Sequence, residues 1–321
     1  MSQTLTASEL EALLDPQVAA ALRGAPAGGT PPHLLTPAQV RAAWEAARTP
    51  LVRPAHDLQI TDMRLDTPAS ALEARLYRPA APAADTLLPG MVYFHGGGFT
   101  NGDLDSQDPT CCAMAERAVC VVLSINYRKL PAHPFPAAFD DAVAAVRWLA
   151  RHAPRCGIDG GRIGTGGDSS GANLALAAAL ALRAEVPLKA LWLAYPIIGN
   201  DFNTASYIEN AAAPLLTRER CQRILRDYLG ADPAGADWRA APLLADDFDG
   251  LPAAVVIAAQ LDPLRSDAEI FADRLTATGV RAVRIDARGM PHAFLRWING
   301  GCAAQAYVTQ SLQTLRELLR S

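Results

Sequence analysis

The chain has 321 residues, of which 50% are hydrophobic and 19% charged, and this balance favours a folded protein with a sizeable core. Its formal net charge of −4 gives no reason to expect binding to nucleic acid or to an anionic membrane. The six cysteines show no C-x-x-C and no zinc-type spacing with histidine, so we expect buried thiols, no metal site and a reducing, cytoplasmic compartment. No apolar run is long enough to span a membrane, and residues 1–14 lack the apolar core of a signal peptide, so no stable membrane association is expected.

Residues 1–50 are rich in alanine and proline and carry two helical patterns, over residues 8–22 and 36–48. Thr36 is a good N-cap and Pro37 suits the first position of a helix, so the second helix has a defined start. A glycine- and proline-rich stretch over residues 24–32 separates the two patterns. We predict that residues 1–50 form an N-terminal helical cap segment on a main domain of residues 51–321.

From residue 56 onward the pattern changes to short apolar runs. Residues 58–65 and 72–77 alternate between apolar and polar side chains, and the turn signal Asp66-Thr67-Pro68 between them predicts an antiparallel hairpin. Further apolar runs then alternate with helical segments, which is typical of a mostly parallel sheet covered by helices on both faces. The predicted strands are 91–94, 119–125, 162–165, 188–194, 253–259 and 280–285, and the predicted helices are 107–117, 136–152, 170–184, 264–278 and 302–320. We therefore predict an α/β fold with an eight-stranded, mostly parallel sheet flanked by helices.

One long insertion interrupts this alternation. Residues 199–244 contain no strand pattern, and helical patterns lie at residues 217–229 and near Trp238. The insertion leaves the carboxyl end of the strand at 188–194, where open α/β sheets bind ligands. We expect a lid over that edge, built from this insertion and residues 1–50.

The stretch Gly167-Asp168-Ser169-Ser170-Gly171 lies between a predicted strand and a predicted helix. Strand, Gly-x-Ser-x-Gly and helix are the context of a nucleophilic serine on a sharp turn. Such a serine adopts positive φ, and glycine on either side removes a Cβ that would collide across the turn. The first N–H groups of the following helix would then face whatever is bound to Ser169. An ordinary Gly/Ser loop is the alternative, so the prediction depends on partners elsewhere in the chain.

A nucleophilic serine needs a base within hydrogen-bonding distance, and the base needs a third group to orient it. In folds with this strand–serine–helix turn, the acid and then the histidine follow the serine along the chain. His292 is the only histidine after Ser169, and it follows the last predicted strand. Asp262 directly follows the preceding strand, whereas the alternative, Asp267, lies within a predicted helix. Ser169, His292 and Asp262 are therefore the predicted catalytic residues.

The segment His95-Gly96-Gly97-Gly98-Phe99 follows the third predicted strand. Glycines let the backbone approach a substrate and turn its N–H groups inward, which stabilisation of an oxyanion requires. We predict that the N–H groups of Gly97, Gly98 and Ser170 form an oxyanion hole, and that His95 shapes the loop. The alternative, a phosphate-binding loop, lacks both a G-x-G-x-x-G pattern and a Lys-Ser/Thr ending.

These segments occur together and in one order, and they resemble the hormone-sensitive-lipase-like family of α/β-hydrolases, bacterial carboxylesterases in particular. The resemblance covers about residues 37–320 and rests on His95-Gly96-Gly97-Gly98-Phe99, Tyr127-Arg128, residues 133–141, the serine turn at 167–171, Asp262-Pro263-Leu264 and His292-Ala293-Phe294. The chain departs from the family in having Lys129-Leu130-Pro131-Ala132 where Leu-Ala-Pro-Glu is usual, and Ser170 where alanine is commonest. The first departure puts a local ion pair in doubt but not the chemistry.

The resemblance implies an α/β-hydrolase fold with two cap segments and no cofactor. It also implies hydrolysis of small-molecule esters with short- to medium-chain acyl groups through an acyl-enzyme. Structural roles behind the oxyanion loop are implied for Arg128, Asp140 and Asp141. Amides, formamides and lactones stay open as substrates, because the pocket and not these motifs selects the leaving group.

Two further points stay open from the sequence. A non-catalytic receptor that only binds its ligand is an alternative to an enzyme, and a homodimer is among the alternatives for the oligomeric state. The candidate pocket residues are Trp44, Phe202, Tyr207 and Leu215.

Overall fold

The computed structural model describes most of the chain, namely residues 3–24, 30–48, 51, 53, 56–68, 70–81 and 86–321. Within the predicted N-terminal cap segment, residues 1–2, 25–29 and 49–50 lie outside the described residues, and 25–29 belong to the predicted glycine- and proline-rich stretch.

The described residues form one eight-stranded sheet. Its strands in chain order are β1 (Leu58–Asp66), β2 (Ala71–Pro79), β3 (Leu88–Phe94), β4 (Val121–Asn126), β5 (Ile158–Asp168), β6 (Ala190–Ala194), β7 (Ala253–Leu261) and β8 (Ala282–Pro291). The order across the sheet is β1-β2-β4-β3-β5-β6-β7-β8. β2 runs antiparallel to β1 and β4, and all other neighbours are parallel. The predicted eight-stranded, mostly parallel sheet is confirmed.

Helices cover both faces of the sheet. The helices are α1 (Ala7–Leu13), α2 (Pro16–Arg23), α3 (Pro37–Ala46), α4 (Asp108–Ala118), α5 (Ala137–His152), α6 (Ser170–Leu182), α7 (Ala205–Glu209), α8 (Arg218–Leu229), α9 (Arg265–Ala277) and α10 (Ala303–Leu318). One core joins α5, α6 and α9 to the sheet and includes Leu149, Leu176 and Phe271. The other joins α4 and α10 to the opposite face and includes Met114 and Leu312. Because both faces are covered, inner strands such as β3 are buried along their whole length.

Local hydrogen bonding explains where the elements differ from the prediction. The single helix expected over residues 8–22 is two helices, since Asp15 caps α2 by accepting from the N–H of Gln17 at 2.9 Å and Pro16 is its first residue. The helix expected near Trp238 is a turn in which the Asp237 carboxylate accepts from the N–H of Arg239 at 2.8 Å. The short helix α7 was not predicted.

The N-terminal helices occupy two different places. The Asp15 N–H donates to the Gly289 carbonyl at 3.0 Å, and Val18 of α2 is buried in the core on the α10 side. In contrast, Arg41 of α3 donates to the Thr100 carbonyl at 3.1 Å, so α3 lies against the loop that follows β3. Of α2 and α3, it is therefore α3 that contacts the loop following β3.

Candidate active site

Ser169 stands on a sharp turn between β5 and α6. Its backbone has φ 53° and ψ −117°, a strained conformation for a residue with a Cβ. A Cβ on Gly167 or on Gly171 would overlap the Phe94 carbonyl of the neighbouring strand β3. The turn therefore requires glycine at both positions, as the sequence pattern predicts.

The structure brings Ser169, His292 and Asp262 together. Ser169 Oγ lies 3.0 Å from His292 Nε2, and His292 Nδ1 lies 2.7 Å from Asp262 Oδ2. Asp262 follows β7 and is fully buried, and its other carboxylate oxygen accepts from the N–H of Leu264 at 2.9 Å. His292 follows β8 and is 7% exposed. The three side chains thus form one hydrogen-bonded row from a buried carboxylate to a serine hydroxyl.

Two residues that sequence reasoning missed support this row. The ring of Tyr195, directly after β6, meets the His292 ring edge-on with a centroid distance of 4.8 Å. The Asn210 amide donates to the Asp262 carbonyl at 3.2 Å and so ties the end of α7 to the aspartate turn. No sequence motif marks either residue, because the position of Tyr195 depends on the order of the strands in the sheet and that of Asn210 on how the 199–244 insertion folds back.

The glycine loop after β3 presents backbone donors. Gly97 has φ 127° and Gly98 has φ 62°, and a Cβ on Gly97 would overlap the backbone of Asn101. The N–H groups of Gly97 and Gly98 donate to no protein group within the described residues. The N–H of Ser170, the first residue of α6, has no acceptor inside its helix. These are the three donors predicted for an oxyanion hole.

Asp168 connects the loop to the serine turn, although the sequence analysis assigned it no role. Its carboxylate accepts from the Tyr93 hydroxyl and from the Gly96 N–H, each at 2.8 Å. Burial raises the pKa of this carboxyl above its ordinary value, while both hydrogen bonds act in the opposite direction. Its place inside the Gly-x-Ser-x-Gly motif was a usable signal, but its partners depend on the pairing of β3 with β5.

His95 interacts with the loop backbone. Its Nδ1 lies 2.8 Å from the Gly96 carbonyl, and its ring stacks on Tyr127 at a centroid distance of 4.3 Å. The Tyr127 hydroxyl in turn donates to the His95 carbonyl at 2.8 Å. Burial lowers the pKa of the imidazole well below its usual value, which favours the neutral form of the ring. This geometry fits the prediction that His95 shapes the loop.

A cavity of about 680 Å³ opens above Ser169. Its wall includes Ser169, His292, Gly97 and Gly98 together with apolar side chains from α3 and from the insertion. These apolar side chains are Val40, Trp44, Leu215, Leu216 and Ile224. Of the four candidate pocket residues, Trp44 and Leu215 line the cavity. Phe202 and Tyr207 do not, because they pack edge-on against each other in the core at a centroid distance of 5.3 Å.

Backbone strain concentrates at this cavity. Among the described residues, four non-glycine positions with positive φ line it, namely Ser169, Tyr195, Leu215 and Ala293. Such conformations persist only where the surrounding structure enforces them, and they cluster at functional sites.

A family model of the alpha/beta hydrolase fold matches residues 91–296. The chain belongs to the α/β-hydrolase family. Among its relatives, the esterase LipI of Mycobacterium tuberculosis is 36% identical over 83% of this chain and 85% of its own length. The ethyl acetate hydrolase of Pseudomonas putida is 32% identical over 88% of this chain and 92% of its own. A solved esterase structure from Pyrobaculum calidifontis has a TM-score of 0.83 and 30% identity, covering 95% of this chain and 98% of that one.

The α/β-hydrolase fold and the resemblance to hormone-sensitive-lipase-like carboxylesterases are thereby confirmed. The protein is a carboxylic ester hydrolase, and the receptor alternative is not supported. Within the described residues, no three His, Cys, Asp or Glu side chains cluster as metal ligands would. Among the residues that the structure describes, no helix is both long enough and apolar enough to cross a membrane.

Asp267, the alternative acid, has other partners in this hydrolase. One of its carboxylate oxygens accepts from the N–H groups of Ile198 at 3.0 Å and Gly199 at 2.8 Å. Burial raises its pKa to about 7, partly offset by these two hydrogen bonds. Asp267 therefore holds the start of the 199–244 insertion.

The residues expected behind the oxyanion loop divide into two groups. Arg128 forms an ion pair with buried Asp141 at 2.7 Å, and the backbone N–H of Arg128 donates to the same carboxylate at 2.8 Å. The nearby N–H of Leu130 donates to the Phe99 carbonyl at 2.9 Å, which links this pair to the loop. Asp140 is exposed and forms no ion pair with any described residue, although its charge contributes to raising the pKa of Arg128. The structural role implied for Asp140 stays a prediction.

Proposed function

We propose that this hydrolase is a serine carboxylesterase that uses Ser169, His292 and Asp262 as a catalytic triad. The observation that carries the proposal is the hydrogen-bonded row from Asp262 through His292 to Ser169 on the wall of an apolar cavity. In this assignment Asp262 accepts the Nδ1 proton of His292, which leaves Nε2 free to take the proton of the serine hydroxyl.

The proposed acylation step begins when Ser169 Oγ attacks the ester carbonyl and His292 Nε2 takes the hydroxyl proton. The carbonyl oxygen becomes an oxyanion, which the N–H groups of Gly97, Gly98 and Ser170 stabilise by donating to it. The oxyanion then reforms the carbonyl and the bond to the alcohol breaks. His292 gives its proton to the departing alcohol, and an acyl-enzyme remains on Ser169.

Deacylation repeats the sequence with water in place of serine. His292 takes a proton from the water, whose oxygen attacks the acyl carbon, and the same donors hold the second oxyanion. When the bond to Ser169 Oγ breaks, His292 returns the proton to the serine and the carboxylic acid leaves.

We infer a preference for short- to medium-chain acyl groups. A volume of about 680 Å³ lies in the range of pockets that hold small molecules. The name of the Pseudomonas putida relative states ethyl acetate, an ester of a two-carbon acid, as its substrate. Apolar side chains such as Trp44 and Ile224 suit a hydrocarbon chain of modest length.

We further propose that parts of residues 1–50 and of the insertion at about 199–244 act as the cap over this cavity. Trp44 of α3 and Ile224 of α8 belong to its wall, which supports that role for these two helices. The α1–α2 part of the segment contacts Gly289 instead, and we assign it to bracing the end of β8. The six buried free cysteines support the prediction of a reducing, cytoplasmic location.

Ser169→Ala tests the proposal. The variant should lose at least about 10³-fold in kcat/KM on p-nitrophenyl acetate and butyrate, because no nucleophile remains. A fluorophosphonate probe should label the wild type, and peptide mapping should place the label on Ser169 and not on the adjacent Ser170. Near-wild-type activity of the variant, or labelling that survives in it, would refute the assignment. Comparison of esters from acetate to decanoate would define the acyl preference.

A further inference from the structure

On the cavity wall, the one carboxylate has hydrogen-bond donors, but the two guanidinium groups have no carboxylate partner among the described residues. Among the described lining residues, the carboxylate and guanidinium side chains are those of Asp168, Arg220 and Arg296. Asp168 is satisfied by the Tyr93 hydroxyl and the Gly96 N–H. Neither arginine has a carboxylate within ion-pairing distance among the described residues. The cavity therefore presents positive charge that the protein itself does not neutralise.

Arg220 is the more buried of the two arginines. It lies on α8, is only partly exposed, and its guanidinium donates to the Pro32 carbonyl at 3.0 Å. A guanidinium has five N–H donors, so most of its hydrogen-bonding capacity is unused. Its helix neighbour Arg223 is in a different situation, since it is paired with Asp227 at 2.7 Å. Burial lowers the pKa of Arg220, while the charge of Asp227, which is paired with Arg223, acts in the opposite direction.

The helix geometry places Arg220 near the reaction centre. Ile224 lies on the glycine loop, with its side chain 3.2 Å from the position that a Cβ on Gly98 would take. Arg220 is four residues earlier on the same face of α8, where Cβ atoms are about 5–6 Å apart. Arg220, Ile224 and Ser169 all belong to the wall of the same cavity.

We propose that Arg220 binds a carboxylate carried by the substrate, so that the preferred substrates are esters with a free carboxylate a few bonds from the ester group. Half-esters of dicarboxylic acids and esters of hydroxy acids belong to this class. A carboxylate can accept two parallel N–H bonds from a guanidinium, and such pairs are stronger than neutral hydrogen bonds. Exposed Arg296 adds positive charge to the same cavity and favours the approach of anions. This inference rests on the proposed function at Ser169.

Matched pairs of esters test the inference. The first pair is monoethyl glutarate and its counterpart with a carboxamide in place of the free carboxylate. The second pair is the acetate ester of a hydroxybutanoate and the acetate ester of the corresponding hydroxybutanamide. The wild type should favour the carboxylate member of at least one pair in kcat/KM. Arg220→Gln should lower that preference about 10- to 100-fold, since a hydrogen bond to a charged group is removed. Arg220→Lys should retain part of the carboxylate preference, because the positive charge remains but the two parallel N–H donors of the guanidinium are lost.

Arg226→Gln is the matched control, because it removes the same charge from the exposed side of α8 and should leave the preference unchanged. If Arg220 only ties α8 to Pro32, Arg220→Gln will lower both members of a pair equally, and that result overturns the inference. A wild-type enzyme with no carboxylate preference in either pair overturns it too. Hydrolysis of the neutral esters separates the proposal for Arg220 from the proposal for Ser169. If the wild type hydrolyses neither the neutral nor the charged esters, the function proposed at Ser169 is contradicted.

Discussion

Asp262→Asn is the sharpest test of the proposed triad, because the structure indicates how the amide would sit. Asp262 accepts two hydrogen bonds, from the Leu264 N–H at 2.9 Å and from His292 Nδ1 at 2.7 Å. The backbone N–H of Leu264 needs an acceptor, so the amide oxygen is expected to stay there. The amide nitrogen then faces His292, donates to Nδ1 and drives the ring proton to Nε2. In that tautomer the imidazole cannot accept the proton of Ser169.

We expect the loss in kcat/KM to be about 10³- to 10⁴-fold, equivalent to about 4–5.5 kcal/mol of transition-state stabilisation. Asp267→Asn is the control at the alternative acid. Both of its backbone donors reach a single carboxylate oxygen, which an amide oxygen can replace. The change in kcat/KM caused by Asp267→Asn should therefore stay within about threefold, because both backbone hydrogen bonds are kept and only the charge of their acceptor is lost.

The assay is steady-state hydrolysis of p-nitrophenyl butyrate, with thermal unfolding of both variants as the control for folding. Retention of activity within tenfold of wild type by folded Asp262→Asn would refute the tautomer reasoning. The opposite pattern, with Asp267→Asn inactive and Asp262→Asn active, would reassign the acid.

Three further predictions concern the loop and the buried carboxyl groups. Gly97→Ala should reduce kcat/KM about 10²- to 10³-fold, because its φ of 127° and the adjacent Asn101 backbone exclude a Cβ, whereas Gly235→Ala, with open space around it, should not. Tyr93→Phe removes a donor to a buried carboxylate and should cost about 1–3 kcal/mol in urea unfolding. The pKa of Asp267 rises from 3.8 to about 7 on folding, so the folded state retains a proton that the unfolded chain releases. The free energy of unfolding of the wild type therefore falls as pH rises from about 4 to 7. The free energy of unfolding of Asp267→Asn, measured relative to wild type, should rise over that interval by at most about 4 kcal/mol. A flat difference between the two melting curves across this pH range would contradict the titration.

The serine turn and its partners could be proposed from the chain alone because their requirements are local. Gly167 and Gly171 follow from the positive φ of Ser169, and the alternation of strands and helices predicts that Asp262 and His292 follow neighbouring strands at one sheet edge. Parallel strands end together at that edge, so residues far apart in sequence converge without any long-range information. The eight strands were identified for the same reason, since buried strands carry apolar runs that are visible in the sequence.

Only the tertiary structure decided which side chains meet in the cavity. Trp44 and Leu215 line it while Phe202 and Tyr207 lie in the core, although all four are large apolar residues in the predicted cap segments. Periodicity indicates that a residue is buried, but it does not say against which neighbour, and the insertion has no repeating strand pattern to orient it. The uncompensated charge of Arg220 is likewise invisible in the sequence, because acidic residues are available on the same helix and only their positions show that none pairs with it. The sequence alone was therefore enough to propose the reaction centre, whereas the folding of the insertion determined the pocket around it.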